Sequence, residues 1–213
     1  MTHHYRTDSP AVLLIHGGLW EESMDAERFW AAPGVSMGLE HAGFMVLAPT
    51  RLRQPSSWDD EVQHLVPVLP ERPVAVVAGS NGCSVAVRLA LAFPDRIGRL
   101  LLAWPATAGD PGVDARTRIG LADLGASERT IDTLLDGGTM RGVTDSELST
   151  LTMPTGILPA EPENPFHQRH TADALRRLLT DSEELPGCPE PPRPDFAPHL
   201  DRFLTSVTRF VSR

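Results

Sequence analysis

Val74-Ala75-Val76-Val77-Ala78-Gly79-Ser80-Asn81-Gly82-Cys83-Ser84 runs from an unbroken apolar stretch through Ser-Asn-Gly into residues of helical spacing. A short apolar run ended by a glycine predicts a buried strand over Pro73 to Ala78, and Gly82 to Phe93, closed by Pro94, predicts a helix. The change of direction falls on Ser80. A serine on so sharp a turn tolerates only small residues two positions to either side, because a larger side chain would strike the strand or the helix. Here those positions are Ala78 and Gly82, so Ser80 is the candidate nucleophile. The neighbouring frame, with Gly79 and Cys83 in the flanking slots, would put Asn81 at the apex instead.

Outward from this turn the chain alternates. Further strands are expected at Ala11 to Ile15, Phe44 to Ala48, Leu100 to Ala103, Thr155 to Leu158 and Glu183 to Leu185. Helical spacing covers Ala26 to His41 with a break at Pro33-Gly34, Trp58 to Leu69, Ala172 to Leu179 and Phe196 to Val211. The predicted fold class is α/β: a six-stranded, mainly parallel sheet with helices on both faces, in one domain spanning residues 1–213. Ligands then bind at the carboxyl edge of the strands. Residues 104–153 interrupt the rhythm with short amphipathic stretches, such as Ile131 to Leu135 and Asp145 to Leu151. They are expected to form a helical cap over that edge and to supply the pocket walls. Trp20, Trp30 and Trp104 fall near strand ends, where a side chain either lines a pocket or joins the core.

Composition removes several classes of function. The formal charge of −9 disfavours nucleic acid and anionic lipid as partners, and a small molecule is expected instead. All 19 basic residues are arginine, which excludes a Schiff-base lysine and a phosphate-loop lysine. Cys83 and Cys188 read as free thiols, and no spacing suggests a metal or a bound cofactor. No apolar run reaches the roughly 20 residues of a membrane helix. Met1 to Tyr5 lacks the pattern of a secretory signal, so a cytoplasmic location is expected.

His16-Gly17-Gly18 after the first strand, the Ser80 elbow, the phrase Phe93-Pro94-Asp95-Arg96-Ile97 and the order of elements together resemble the α/β-hydrolase family, over nearly the whole chain. The resemblance favours the Ser80 frame, because Pro94 stands fourteen residues after Ser80, where the family's elbow helix ends. It also implies that the chain begins at the family's third strand, without the two leading ones. Oxyanion donors are then implied at the backbone N–H of Asn81 and of Gly18, or of Leu19 if the loop is set one residue later. The acid is implied at Glu163, with Glu161 as an outside candidate, whereas counting back from the following helix lands on Asn164.

The family's histidine should close a phrase that reads here Leu185-Pro186-Gly187-Cys188-Pro189-Glu190, with no imidazole in it. His167, in the loop after the acid, and His199, at the start of the last helix, are the two replacements, with His167 ranked first. The expected activity is that of a serine hydrolase acting on a small carboxylic ester, thioester or related acyl compound. The alternative is a protein that keeps the fold without the triad, and binds a small molecule or catalyses a non-hydrolytic reaction.

Overall fold

The computed structural model describes residues 9–213, so the reading of Met1 to Tyr5 lies outside the described residues. Six strands form one sheet: β1 (Ala11–Ile15), β2 (Met45–Leu47), β3 (Val74–Gly79), β4 (Ile97–Ala103), β5 (Thr155–Leu158) and β6 (Ser182–Glu184). Their order is β2-β1-β3-β4-β5-β6 and every pairing is parallel. The sheet reverses its direction of growth between β1 and β3, so their carboxyl ends flank a crevice where a ligand can enter.

Alternation along each strand divides the core. Leu13, Ile15, Val76, Ala78, Leu100, Leu102 and Ile157 face one layer, built from α2 (Trp58–Leu65), α3 (Gly82–Ala92) and α7 (Arg169–Leu178). Val12, Leu14, Val77, Leu101, Ala103 and Leu158 face the other, built from α1 (Val35–His41) and α8 (Leu200–Val211). Period-two alternation places these two sets on opposite faces, which is why the buried strands read as continuous apolar runs. On the second face Trp30, Trp104, Phe196 and Phe203 form one aromatic cluster, with Trp104 and Phe203 stacked at 5.3 Å between ring centroids. Trp30 and Trp104 are thus core residues. Trp20 is partly buried and donates from Nε1 to Pro55 O at 2.9 Å.

The segment 104–153 folds as α4 (Pro111–Asp123), α5 (Glu128–Leu135) and α6 (Asp145–Leu148). Leu121, Ile131, Leu134, Met140 and Leu148 join the layer of α2 and α3, and Trp58 Nε1 donates to Leu134 O at 3.2 Å. The apolar stripe of α5 therefore sits on the flank of the helical layer. No helix among the described residues is long and apolar enough to cross a membrane. Cys83 and Cys188 are both free and buried, and burial pushes both thiols up, Cys188 to about 12.

Candidate active site

Ser80 follows the last residue of β3 and has a φ of 52°, a conformation an L-residue adopts only when its surroundings enforce it. The enforcing contacts are visible around it. A Cβ on Gly82 would lie 2.5 Å from His16 O and 2.7 Å from Ile15 O, so α3 can leave the turn only across a bare backbone. A Cβ on Gly17 would lie 3.0 Å from Ser80 Cβ, so the loop after β1 runs directly against the elbow. Ser80 N–H donates to Ala103 O at 3.0 Å, tying the turn to the end of β4.

Across from the elbow, His167 Nε2 lies 2.8 Å from Ser80 Oγ, in a buried contact. The loop that carries His167 is fastened on both sides to Thr107, which is fully buried. Thr107 N–H donates to Phe166 O at 2.8 Å, and Gln168 N–H donates to Thr107 Oγ1 at 2.9 Å. Burial lowers the His167 pKa to about 4, with the charges of Arg193 and Arg141 adding to the effect. The ring is therefore neutral at pH 7.

Its second nitrogen meets an amide. Asn164 Oδ1 accepts from Phe166 N–H at 3.0 Å, which turns Nδ2 toward His167 Nδ1 at 3.3 Å. An amide nitrogen only donates, so Nδ1 is the acceptor, and the ring proton resides on Nε2, facing Ser80. The Glu163 carboxylate is elsewhere: it is exposed and accepts from Arg169 N–H at 2.7 Å, at the first residue of α7. The count backward from that helix, to Asn164, matches the geometry. Glu163, the implied acid, stands one residue earlier and is engaged by the helix terminus instead. Glu161 is exposed and lies against Gly187. His199 accepts from an Arg202 guanidinium N–H at 3.2 Å, at the start of α8, and does not line the cavity at Ser80.

A residue that sequence reasoning passed over stands beside the imidazole. Glu190 Oε2 lies 3.8 Å from His167 Nε2, the same nitrogen that faces Ser80. Glu190 ends the phrase Leu185 to Glu190, at the position where the resemblance implies a histidine, and that position is the signal in the sequence that points to it. Its loop is pinned by Trp104 Nε1, which donates to Cys188 O at 2.7 Å, and by Glu161 N–H, which donates to the same oxygen at 3.2 Å. Burial raises the Glu190 pKa to about 7. The nearby Glu21 and Asp195 add to the rise and Arg193 opposes it.

These groups open onto a cavity of about 380 Å³. Met24, Phe29, Pro165, Phe166 and Pro192 line it together with the charged Glu21 and Arg193. No side chain from 104–153 lines it, contrary to the expectation that this segment supplies the pocket walls. Its helices are held by the α2–α3 layer instead, and the segment reaches the site through Trp104, Thr107, Arg116 and Arg141. Arg141, nearly buried, donates to Asn81 Oδ1, to Asp114 Oδ1 and to Thr117 Oγ1, each at 3.1 Å. Arg116 lies over the Phe166 ring at 5.5 Å. Gly18 has a φ of 81° and lines the cavity, and the Glu21 carboxylate stands against it. Among the described residues no group of three or more His, Cys, Asp or Glu side chains is placed to hold a metal ion.

No protein-family model and no curated protein sequence matches this chain. Solved structures do match by backbone. A meta-cleavage product hydrolase from Pseudomonas fluorescens is 18% identical, with a TM-score of 0.70 over 95% of this chain and 90% of its own. A 2-hydroxy-6-oxo-6-phenylhexa-2,4-dienoate hydrolase from Rhodococcus is 14% identical, with a TM-score of 0.68 over 94% of this chain and 91% of its own. NosK from Streptomyces actuosus is 19% identical, with a TM-score of 0.67 over 97% of this chain and 100% of its own. The six parallel strands, their order and these matches together establish that this chain has the α/β-hydrolase fold.

Proposed function

We propose that the protein is a serine hydrolase acting on a small carboxylic ester, thioester or related acyl compound, with Ser80 as nucleophile and His167 as base. The observation that carries this reading is the 2.8 Å contact between Ser80 Oγ and His167 Nε2, made at a turn with a positive φ. Ser80 attacks the acyl carbon, its proton passes to His167 Nε2, and the leaving group departs with that proton. Water, deprotonated by the same nitrogen, then releases the acid. The developing oxyanion is received by backbone N–H groups of Asn81 and of the Gly18–Leu19 loop. Glu190, beside Nε2, balances the imidazolium that forms in each step, a task the neutral Asn164 cannot perform. A cavity of about 380 Å³, lined by Met24, Phe29, Phe166 and Pro192 beside Glu21, Glu190 and Arg193, favours a compact acyl group.

The proton on Nε2 adds a condition. To accept from Ser80 the ring must first move that proton to Nδ1, and Asn164 must present its oxygen there. The reading therefore includes slow turnover. The same observation supports the alternative, a fold that binds or converts a small molecule without an acyl-enzyme. Labelling with a fluorophosphonate, together with turnover of short p-nitrophenyl esters, separates the two. The hydrolase reading expects labelling that is lost in Ser80→Ala and strongly slowed in His167→Ala, and unchanged in His199→Ala. Absence of both labelling and turnover in the wild-type protein overturns it.

A further inference from the structure

We propose that Arg51 is the positioning residue of the oxyanion loop, holding three consecutive carbonyls beneath the loop so that the intervening N–H groups face the cavity. The inference rests on the hydrolase reading for its consequence, but not for its geometry. One nitrogen of the Arg51 guanidinium donates to His16 O at 3.0 Å, to Gly17 O at 3.2 Å and to Gly18 O at 2.9 Å. In a trans peptide the N–H points opposite to the preceding C=O. Turning the carbonyls of Gly17 and Gly18 onto Arg51 therefore turns the N–H groups of Gly18 and Leu19 away from it. Gly18 lines the cavity, and the Glu21 carboxylate, which also lines it, lies 2.8 Å from where a Cβ on Gly18 would stand.

The clamp is itself fixed from two sides. Arg51 N–H donates to His16 Nε2 at 2.9 Å, and His16 Nδ1–H donates to Gly17 O at 2.8 Å, so the ring is a neutral spacer between the loop and the strand end. The second guanidinium nitrogen donates to Glu61 Oε1 at 2.6 Å, with side-chain exposures of 3% and 0%, and Leu52 N–H reaches Glu61 Oε2 at 3.3 Å. A buried ion pair is a poor source of net stability, since desolvation offsets most of the attraction. Arg51 Nε is moreover buried without a partner among the described residues. What the pair achieves is direction: Glu61 holds one guanidinium nitrogen and thereby aims the other at the three carbonyls.

The test compares Arg51→Met, Arg51→Lys and the double substitution Arg51→Met with Glu61→Leu, which leaves no charge buried alone and keeps the question open if Arg51→Met fails to fold. In folded variants, kcat for a short p-nitrophenyl ester and the rate of fluorophosphonate labelling are expected to fall together. The fall should be about 100-fold without the guanidinium, as when an oxyanion donor is lost. KM should stay within about threefold, and Arg51→Lys should recover part of the loss. Crystal structures should show the Gly17–Gly18 or Gly18–Leu19 peptide rotated in the double variant. A merely structural arginine would lower the melting temperature and leave kcat in place. Wild-type kcat in a folded variant without the guanidinium, or unmoved peptides, overturns the proposal. If the wild-type protein neither turns over esters nor takes the label, the hydrolase reading fails alone, and the peptide orientations still decide whether Arg51 holds the loop.

Discussion

At Asn164 a single atom sets the state of the imidazole. Its amide donates to His167 Nδ1 and leaves the ring proton on the nitrogen that has to accept one from Ser80. Exchanging the acid of a triad for its amide costs roughly 10⁴ in rate by imposing the wrong tautomer. Asn164→Asp should run that change in reverse: we expect kcat to rise by about 10²-fold or more with little change in KM, measured by steady-state ester hydrolysis. An unchanged kcat would mean that Asn164 does not set the tautomer. Glu190 gives a second expectation. With its pKa raised to about 7 and that of His167 lowered to about 4, the activity of the wild-type protein should climb with pH through about 7 as the carboxyl ionises beside Nε2. Glu190→Gln should lower kcat and abolish that inflection; a profile that keeps it would assign the titration to another group.

The elements matter through the few points where they pin loops. β4 ends at Ala103; Trp104 follows with a φ of 49°, and the chain then reaches Thr107, which is bonded to both neighbours of His167. Thr107→Val keeps the shape and leaves the Gln168 N–H unpaired. Such a loss costs about 1 to 3 kcal/mol, to be read by urea denaturation, and should lower kcat more than KM as His167 loses its register. The elbow depends on α3 approaching β1 without a side chain between them. Gly82→Ala puts a Cβ 2.5 Å from His16 O, against backbone that cannot step aside. A destabilisation of about 3 kcal/mol, at the upper end for overpacking, is expected from the shift in denaturation midpoint. A midpoint within experimental error of the wild-type value would show that the elbow has room that the packing denies.

Over the whole molecule, the groups that shape the site also shape stability against pH. His16 and His167 both titrate near 4 when folded and near 6.5 when unfolded. Between those values the unfolded chain binds more protons, so each makes stability rise with pH, by on the order of 3 kcal/mol. Glu190 runs the other way: raised from 4.5 to about 7, it keeps its proton longer in the folded state, and stability falls as pH rises through that window. Glu21, also raised, acts in the same direction. Glu190→Gln should therefore match the wild-type protein near pH 4 and exceed its stability at pH 8 by up to about 3 kcal/mol, in urea titrations at the two pH values. Equal stability at pH 8 would show that Glu190 ionises freely in the fold. The layered sheet, the Ser80 elbow and the small residues around it could be read from the chain because they rest on local periodicity and on steric rules acting within a few residues. β4, however, begins at Ile97 rather than Leu100, since its partly exposed first turn of sequence lacks an apolar run. The partners of Ser80 could not be read in the same way. His167, Asn164 and Glu190 sit 84 to 110 residues further along the chain. Which of them faces the hydroxyl depends on loops fastened by Thr107 and Trp104, and on whether a carboxylate is captured first by a helix terminus, as Glu163 is. Long-range hydrogen bonds of this kind leave no periodic trace, and they decide the chemistry because proton transfer is sensitive to an ångström.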